Sequence, residues 1–198
     1  MDPRPIVRAA TTLAVALIDD PFYQAITVDC GTDAAARLRV LAQYFDYSLQ
    51  EAHRTGRCVL HEDPAVGASA WLLPRTPDID ATERSAKAAY LAALLGASGW
   101  HNYRRIIEFM AGKSVRLVPK DSWYLTIIGV HPDSQGRGIG AKLLQPTLAD
   151  ATQSGAHSFL ETFRPRSLIF YERAGFVRVA EFLEPITGAS YALMRRVP

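Results

Sequence analysis

Hydrophobic positions along the chain fall into stretches of two periods, roughly 3.6 and 2 residues, punctuated by proline and glycine. Residues 6–9 form a short apolar run and are expected as a strand. Thr11 or Thr12 is the expected cap of a helix reaching about Ile18, with Leu13, Leu17 and Ile18 on one face. Asp19-Asp20-Pro21 stops it, and Phe22 and Tyr23 fall in a loop. Leu38, Leu41, Ala42, Phe45 and Leu49 recur at helical spacing, which predicts a long helix from Thr32 or Asp33 to about Arg54. Residues 58–61 and 66–73 read as strands on either side of the Glu62-Asp63-Pro64 turn, predicting a hairpin. Helices follow over 81–95 and 102–110, with a break at Gly96 to Gly99. A strand is expected over 123–130 and a helix over 138–153 that buries Ile139, Leu143, Leu144 and Leu148. Pro146 should kink that helix toward its outer face, since it removes an N–H and crowds the carbonyl of Lys142. The remaining elements are a strand at 158–161, a short helix at 166–174 closed by Gly175, and an antiparallel strand pair at 176–183 and 191–195.

This order predicts an α/β (α+β) domain: a mixed, mostly antiparallel central sheet flanked by helices, with one parallel strand pair. The 198 residues suit one core, and residues 1–198 read as a single domain without repeats or linkers. The formal net charge of +2, with no run of like charges, gives no reason to expect nucleic acid or a membrane surface as partner. No apolar run approaches the ~20 residues of a membrane span, and the first residues lack the apolar core of a leader. Cys30 and Cys58 are isolated and the five histidines are scattered, so no metal site is expected. A cytoplasmic location is the default expectation.

The chemistry concentrates between Ile127 and Leu144, I-I-G-V-H-P-D-S-Q-G-R-G-I-G-A-K-L-L. A β-branched run ends at Val130, a His-Pro-Asp turn follows, and glycines at 136, 138 and 140 lead into a helix. Strand, glycine loop and helix start together are the local layout that can bind a phosphate on backbone N–H groups. The free amides of the first helical turn point outward, and the helix dipole favours an anion there. Three readings compete. The glycines are merely a turn; or they are a dinucleotide fingerprint; or they form a pyrophosphate loop Gln/Arg-x-x-Gly-x-Gly/Ala. The dinucleotide form needs a different spacing and a glycine directly after the strand, whereas residues 131–135 intervene. The third form fits Gln135, Gly138 and Gly140, preceded by Val130-His131-Pro132 and followed thirty residues later by F-Y-E-R-A-G-F at 170–176.

These two linked motifs resemble the GNAT superfamily of acyl-CoA-dependent N-acyltransferases. The stretch 123–176, with W-Y-L-T-I-I-G-V-H-P and F-L-E-T-F-R-P-R-S-L-I-F-Y-E-R-A-G-F, is similar to the branch that contains puromycin N-acetyltransferase. The resemblance implies a GNAT-like sheet in which the strand ending at Val130 splays from its parallel neighbour, near Glu161. It implies acetyl-CoA as co-substrate and no metal. The pantetheine arm would bond main chain near Ile128 and Val130, and the Val130 N–H would be the oxyanion donor. The amides of Gln135, Gly136, Arg137, Gly138, Ile139, Gly140 and Ala141 would cradle the pyrophosphate, with the Arg137 side chain adding charge or remaining a solvated loop residue. Tyr171 would face the sulfur as general acid, its alternative being a structural tyrosine beside Phe170 and Phe176. Ser167 stands where the family often has a cofactor-contacting Asn. Glu161 is the candidate general base, or else an anchor for backbone amides or the substrate ammonium. His131 is second, and in a turn before proline it is more often exposed. Phe22, Tyr23, Tyr44, Tyr47, Trp71, Trp100 and Tyr103 are candidate pocket aromatics, fewer than half of which are expected to line it, and Asp19 and Asp20 either attract a cationic amine or end a helix.

The expected activity is direct acetyl transfer from acetyl-CoA to a primary amine of a small molecule, aminonucleoside- or antibiotic-like among the options. A non-catalytic acyl-CoA sensor and a protein lysine or N-terminal acetyltransferase are the alternatives. A homodimer is left open.

Overall fold

A computed structural model describes residues 4–198. Its elements in chain order are α1 (Arg4–Leu17), α2 (Pro21–Ile26), α3 (Ala34–Thr55), β1 (Gly56–Leu60), β2 (Gly67–Leu72), α4 (Pro77–Leu94), α5 (Gly96–Ser114), β3 (Trp123–Val130), α6 (Ile139–Gln153), β4 (Ser158–Thr162), α7 (Leu168–Arg173), β5 (Val177–Leu183) and β6 (Ser190–Arg196). The six strands form one sheet in the order β1-β2-β3-β4-β6-β5. Every neighbouring pair is antiparallel except β3 and β4, which run parallel through the α6 crossover.

The expected sheet, hairpin and parallel pair are all present. Three local expectations fail, each for a physical reason. Residues 6–9 are helix, not strand: Ile6, Ala9, Ala10, Leu13 and Ala14 are buried at helical spacing along α1. Thr11 and Thr12 therefore lie inside this helix, donating to the carbonyls of Val7 and Arg8 one turn back. Phe22 and Tyr23 lie in α2, because Pro21 sits in its first turn, where a missing N–H costs nothing, and Asp20 Oδ1 caps it by accepting from the Phe22 N–H at 3.0 Å. Gly96 does not end the helical region but opens α5, with Asp29 Oδ2 accepting from the N–H of Ser98 at 2.9 Å. Asp33 caps α3 as expected, accepting from the Ala36 N–H at 2.9 Å. Pro146 lies exposed within α6, so the carbonyl it deprives of a partner faces solvent.

Two cores flank the sheet. On one face α1, α2, α3 and α5 pack over Ala68, Ala70 and Ile127; on the other α6 and α7 pack Leu144, Leu148 and Tyr171, with Phe176 from the turn after α7, over Trp71, Leu125 and Leu160. α1 approaches β3 closely because residue 129 is glycine: a Cβ there would stand 2.6 Å from Leu13 Cδ2. The sheet has an opening of its own. β3 pairs with β4 only over Trp123, Tyr124 and Leu125, while on its other side β2 follows it to Val130. Beyond Leu125 the parallel strands diverge, and the gap between them connects the two faces.

Candidate active site

The gap opens into a cavity of about 1460 Å³ lined by both faces. Its first half is the end of β3 and the glycine loop. The His131 N–H donates to Val66 O at 2.8 Å. Main-chain groups alternate sides along an antiparallel strand, so the N–H groups of Val130 and Ile128 turn the other way, toward the gap. Gln135 Nε2 donates to Val130 O at 3.0 Å and folds the loop back onto the strand. Gly136 and Gly138 have φ of +76° and +75°, a left-handed backbone open to glycine at no steric cost, and no atom lies within 4 Å of where a Cβ would stand. Gly138 is the residue before the first turn of α6, so that turn's amides face open space. Gly140 is needed for a different reason: a Cβ there would meet the Phe170 ring at 3.1 Å.

The catalytic candidates sit on opposite faces of the sheet. Leu160 packs toward α6 and α7, so Glu161, next along β4, points to the α1–α3 face. Its Oε2 accepts from the Tyr124 hydroxyl at 2.9 Å, and Oε1 is buried without a partner. Burial pushes the Glu161 carboxyl up from 4.5 to about 7, only partly offset by the Tyr124 hydrogen bond. Tyr124 is held by stacking on Phe159, centroids 4.4 Å apart and planes within 7°. Tyr171, on α7, enters the cavity from the other face. Burial raises its phenol well above the ordinary value, the Asp20 carboxylate raises it further, and Arg164 opposes both. The phenol thus keeps its proton at neutral pH. Asp20 itself lines the cavity, paired with Arg164 across 3.5 Å, and its desolvation raises its carboxyl despite the Phe22 N–H and Arg164.

The structure brings Ile128, Val130, Gln135, Gly136, Gly138, Ile139, Gly140, Ala141, Glu161, Ser167 and Tyr171 to this one cavity. Arg137 is exposed and stays off its wall, where Arg164, Arg166, Arg173 and Arg196 stand instead. His131 also lies outside: its Nδ1 accepts from the Asp133 N–H at 3.3 Å and shapes the turn. Of the seven aromatics, Phe22, Tyr23, Tyr44 and Tyr103 line the cavity, more than expected. Trp71 is buried in the α6-side core, Tyr47 stacks on Tyr90 and Trp100 stacks on Tyr103. The cysteines are both free. Sequence reasoning missed Tyr124 as a partner of Glu161, although the parallel register, Tyr124 beside Phe159, sets the two on one face. It also missed Glu51, whose position two turns after Tyr44 and one turn after Ser48 on a buried helix face was the available signal.

The acetyltransferase (GNAT) domain matches residues 100–178, the stretch that holds β3, the glycine loop, α6, β4 and α7. An uncharacterised N-acetyltransferase of Schizosaccharomyces pombe is 28% identical over 177 residues, covering 86% of this chain and 70% of its own length. An acetyltransferase of the histone-acetyltransferase type from Corynebacterium glutamicum superposes with a TM-score of 0.68 at 20% identity, covering 100% of this chain and 91% of that one. The polyamine N-acetyltransferase of Drosophila melanogaster, which forms N-acetylagmatine, superposes with a TM-score of 0.67 at 15% identity, over 100% of this chain and 97% of the other. The chain has a GNAT-like fold, and its residues 100–178 match the acetyltransferase (GNAT) domain.

Proposed function

We propose that the protein transfers an acetyl group from acetyl-CoA directly to a primary amine of a small molecule. The observation that carries this reading is the meeting of two half-sites in the gap between β3 and β4. One half offers outward amides on a glycine loop; the other offers a carboxylate poised near neutrality. Acetyl-CoA supplies an activated thioester. The amides from Gln135 to Ala141 would hold its pyrophosphate, and the unpaired edge of β3 at Ile128 and Val130 would hold the pantetheine like a further strand. The cationic wall of Arg166, Arg173 and Arg196 supports phosphate binding in place of Arg137. Ser167, also on the wall, is a further contact.

The Val130 N–H donates to the carbonyl oxygen as it gains charge. Glu161 accepts the amine proton on Oε1, the oxygen that has no partner, while Tyr124 fixes the other. A base near pH 7 is matched to that task. Tyr171 donates to the departing sulfur from the opposite face. The cavity wall of Phe22, Tyr23, Tyr44 and Tyr103 offers the aromatic surface that a small molecule would pack against. The likeness to a polyamine acetyltransferase fold is consistent with such an acceptor, and aminonucleosides, suggested by the stretch 123–176, belong in the trial set.

The test is a titration with acetyl-CoA followed by a screen of amines for CoA release. Saturable binding with amine-dependent release supports the proposal. Binding without release from any amine would favour a sensor, and no binding would end both readings.

A further inference from the structure

The acceptor chamber ends in a set of charges that the transfer chemistry does not use. Glu51 on α3 is almost fully buried, and both its oxygens are taken. Oε1 accepts from Arg75 Nη1 at 3.1 Å and Oε2 from Lys87 Nζ at 2.9 Å. Arg75 also donates to Thr55 Oγ1 at 3.1 Å and faces Asp80 across 3.8 Å, and Asp80 pairs with Arg84. Arg75, Lys87, Arg84, Glu51 and Asp80 all line the same cavity as Glu161. Three cations against two carboxylates leave one positive charge in excess. Lys87 has further N–H donors to give, and Tyr103 lines the same cavity. Ser48 Oγ, one turn before Glu51 on α3, is buried without a partner.

This end suits an anion, because both carboxylates there are already paired with cations and the cations outnumber them. The opposite end, at Glu161 and Tyr124, is built for an amine. Aromatic walls of Tyr23, Tyr44 and Tyr103 join the two. We infer that the acceptor is an amino carboxylate, its amine at Glu161 and its carboxylate at Lys87 and Arg75, with an apolar body between. The excess of one charge matches a monoanion better than a phosphate. The inference rests on the amine-acetylation reading, whose failure the experiment separates from its own.

The experiment compares kcat/KM for matched acceptors: a series of ω-amino carboxylates and aromatic amino carboxylates, the alkylamines and diamines of the same lengths, and the corresponding aminoalkyl phosphates. Over its matched alkylamine, the best amino carboxylate should be favoured roughly tenfold to a hundredfold, the range a charge-assisted hydrogen bond gives. Lys87→Met should abolish that preference through KM, and Lys87→Arg should keep it. Equal rates for alkylamines, or a preference for diamines or phosphates, would overturn the inference while leaving the acetyltransferase reading intact. A binding measurement covers the other case. An amine-free carboxylate such as 3-phenylpropionate should perturb tyrosine fluorescence with a dissociation constant that rises about tenfold in Lys87→Met. Binding with that dependence upholds the anion site even if no amine is acetylated, and its absence overturns the site.

Discussion

Replacing Glu161 with Gln separates the chemistry of the site from its stability. The amide keeps an oxygen for the Tyr124 hydroxyl and nearly the same volume, but it takes no proton from an amine. Loss of a positioned general base costs roughly a hundredfold to ten-thousandfold in rate, about 3–5 kcal/mol of barrier. The same residue sets a stability signature of known sign. Burial raises its carboxyl from 4.5 to about 7 in the folded chain, so the folded state holds this proton more tightly than the unfolded state. The contribution of this carboxyl to stability is therefore full below pH 4.5, is lost as pH rises toward about 7, and changes no further above that. Moving one carboxyl over that range amounts to about 3 kcal/mol at most. Glu161→Gln removes the loss, so the variant should be the more stable protein above pH 7 and no more stable below pH 4.5. Denaturation midpoints across pH check this. Initial rates with a working amine should rise through about pH 7 in the wild type, while the variant loses most of its turnover. A variant that turns over like the wild type, or a wild-type profile flat through pH 7, would refute the role of Glu161.

Tyr171→Phe should lower kcat by roughly a hundredfold or more, with the acetyl-CoA dissociation constant unchanged by calorimetry; an unchanged kcat removes the phenol from proton donation. Gly138→Ala places a Cβ on a left-handed backbone of φ +75°, so it should cost about 1–2 kcal/mol of stability and weaken acetyl-CoA binding in the same titration. Gly129→Ala should destabilise by about 1–3 kcal/mol, because Leu13 Cδ2 stands 2.6 Å from the new methyl and α1 must move off β3. A melting temperature equal to the wild type would mean that α1 shifts without cost.

The donor half of the site was legible because its chemistry is local. β3, the turn and the glycines are contiguous, and the alternating run Trp123–Val130 was recognised at both ends. Long α3 was equally clear, with a cap, five spaced apolar positions and a closing Thr-Gly. Residues 6–9 were too few to distinguish a period of 2 from one of 3.6, and the alanines that favour close helix packing carry little hydrophobic signal. Pro21 and Gly96 look like stops in the sequence, although proline and glycine also begin helices when a side chain such as Asp20 satisfies the first amides. The acceptor half was hidden for another reason. Glu51, Arg75 and Lys87 come from α3, the segment after β2, and α4, and only the folded chain joins them. The divergence of β3 from β4 came from the resemblance and not from any residue pattern, because it is a property of register: pairing stops after Leu125.

The most direct measurement of the central claim is the fate of the acetyl group. Purified protein, acetyl-CoA and an amine panel are followed together for CoA release and for the mass of the amine. The expected result is CoA release that needs both protein and amine, with an equal amount of N-acetylated amine, and its loss in Glu161→Gln. Tight acetyl-CoA binding with no acetylated amine anywhere in the panel would contradict the account.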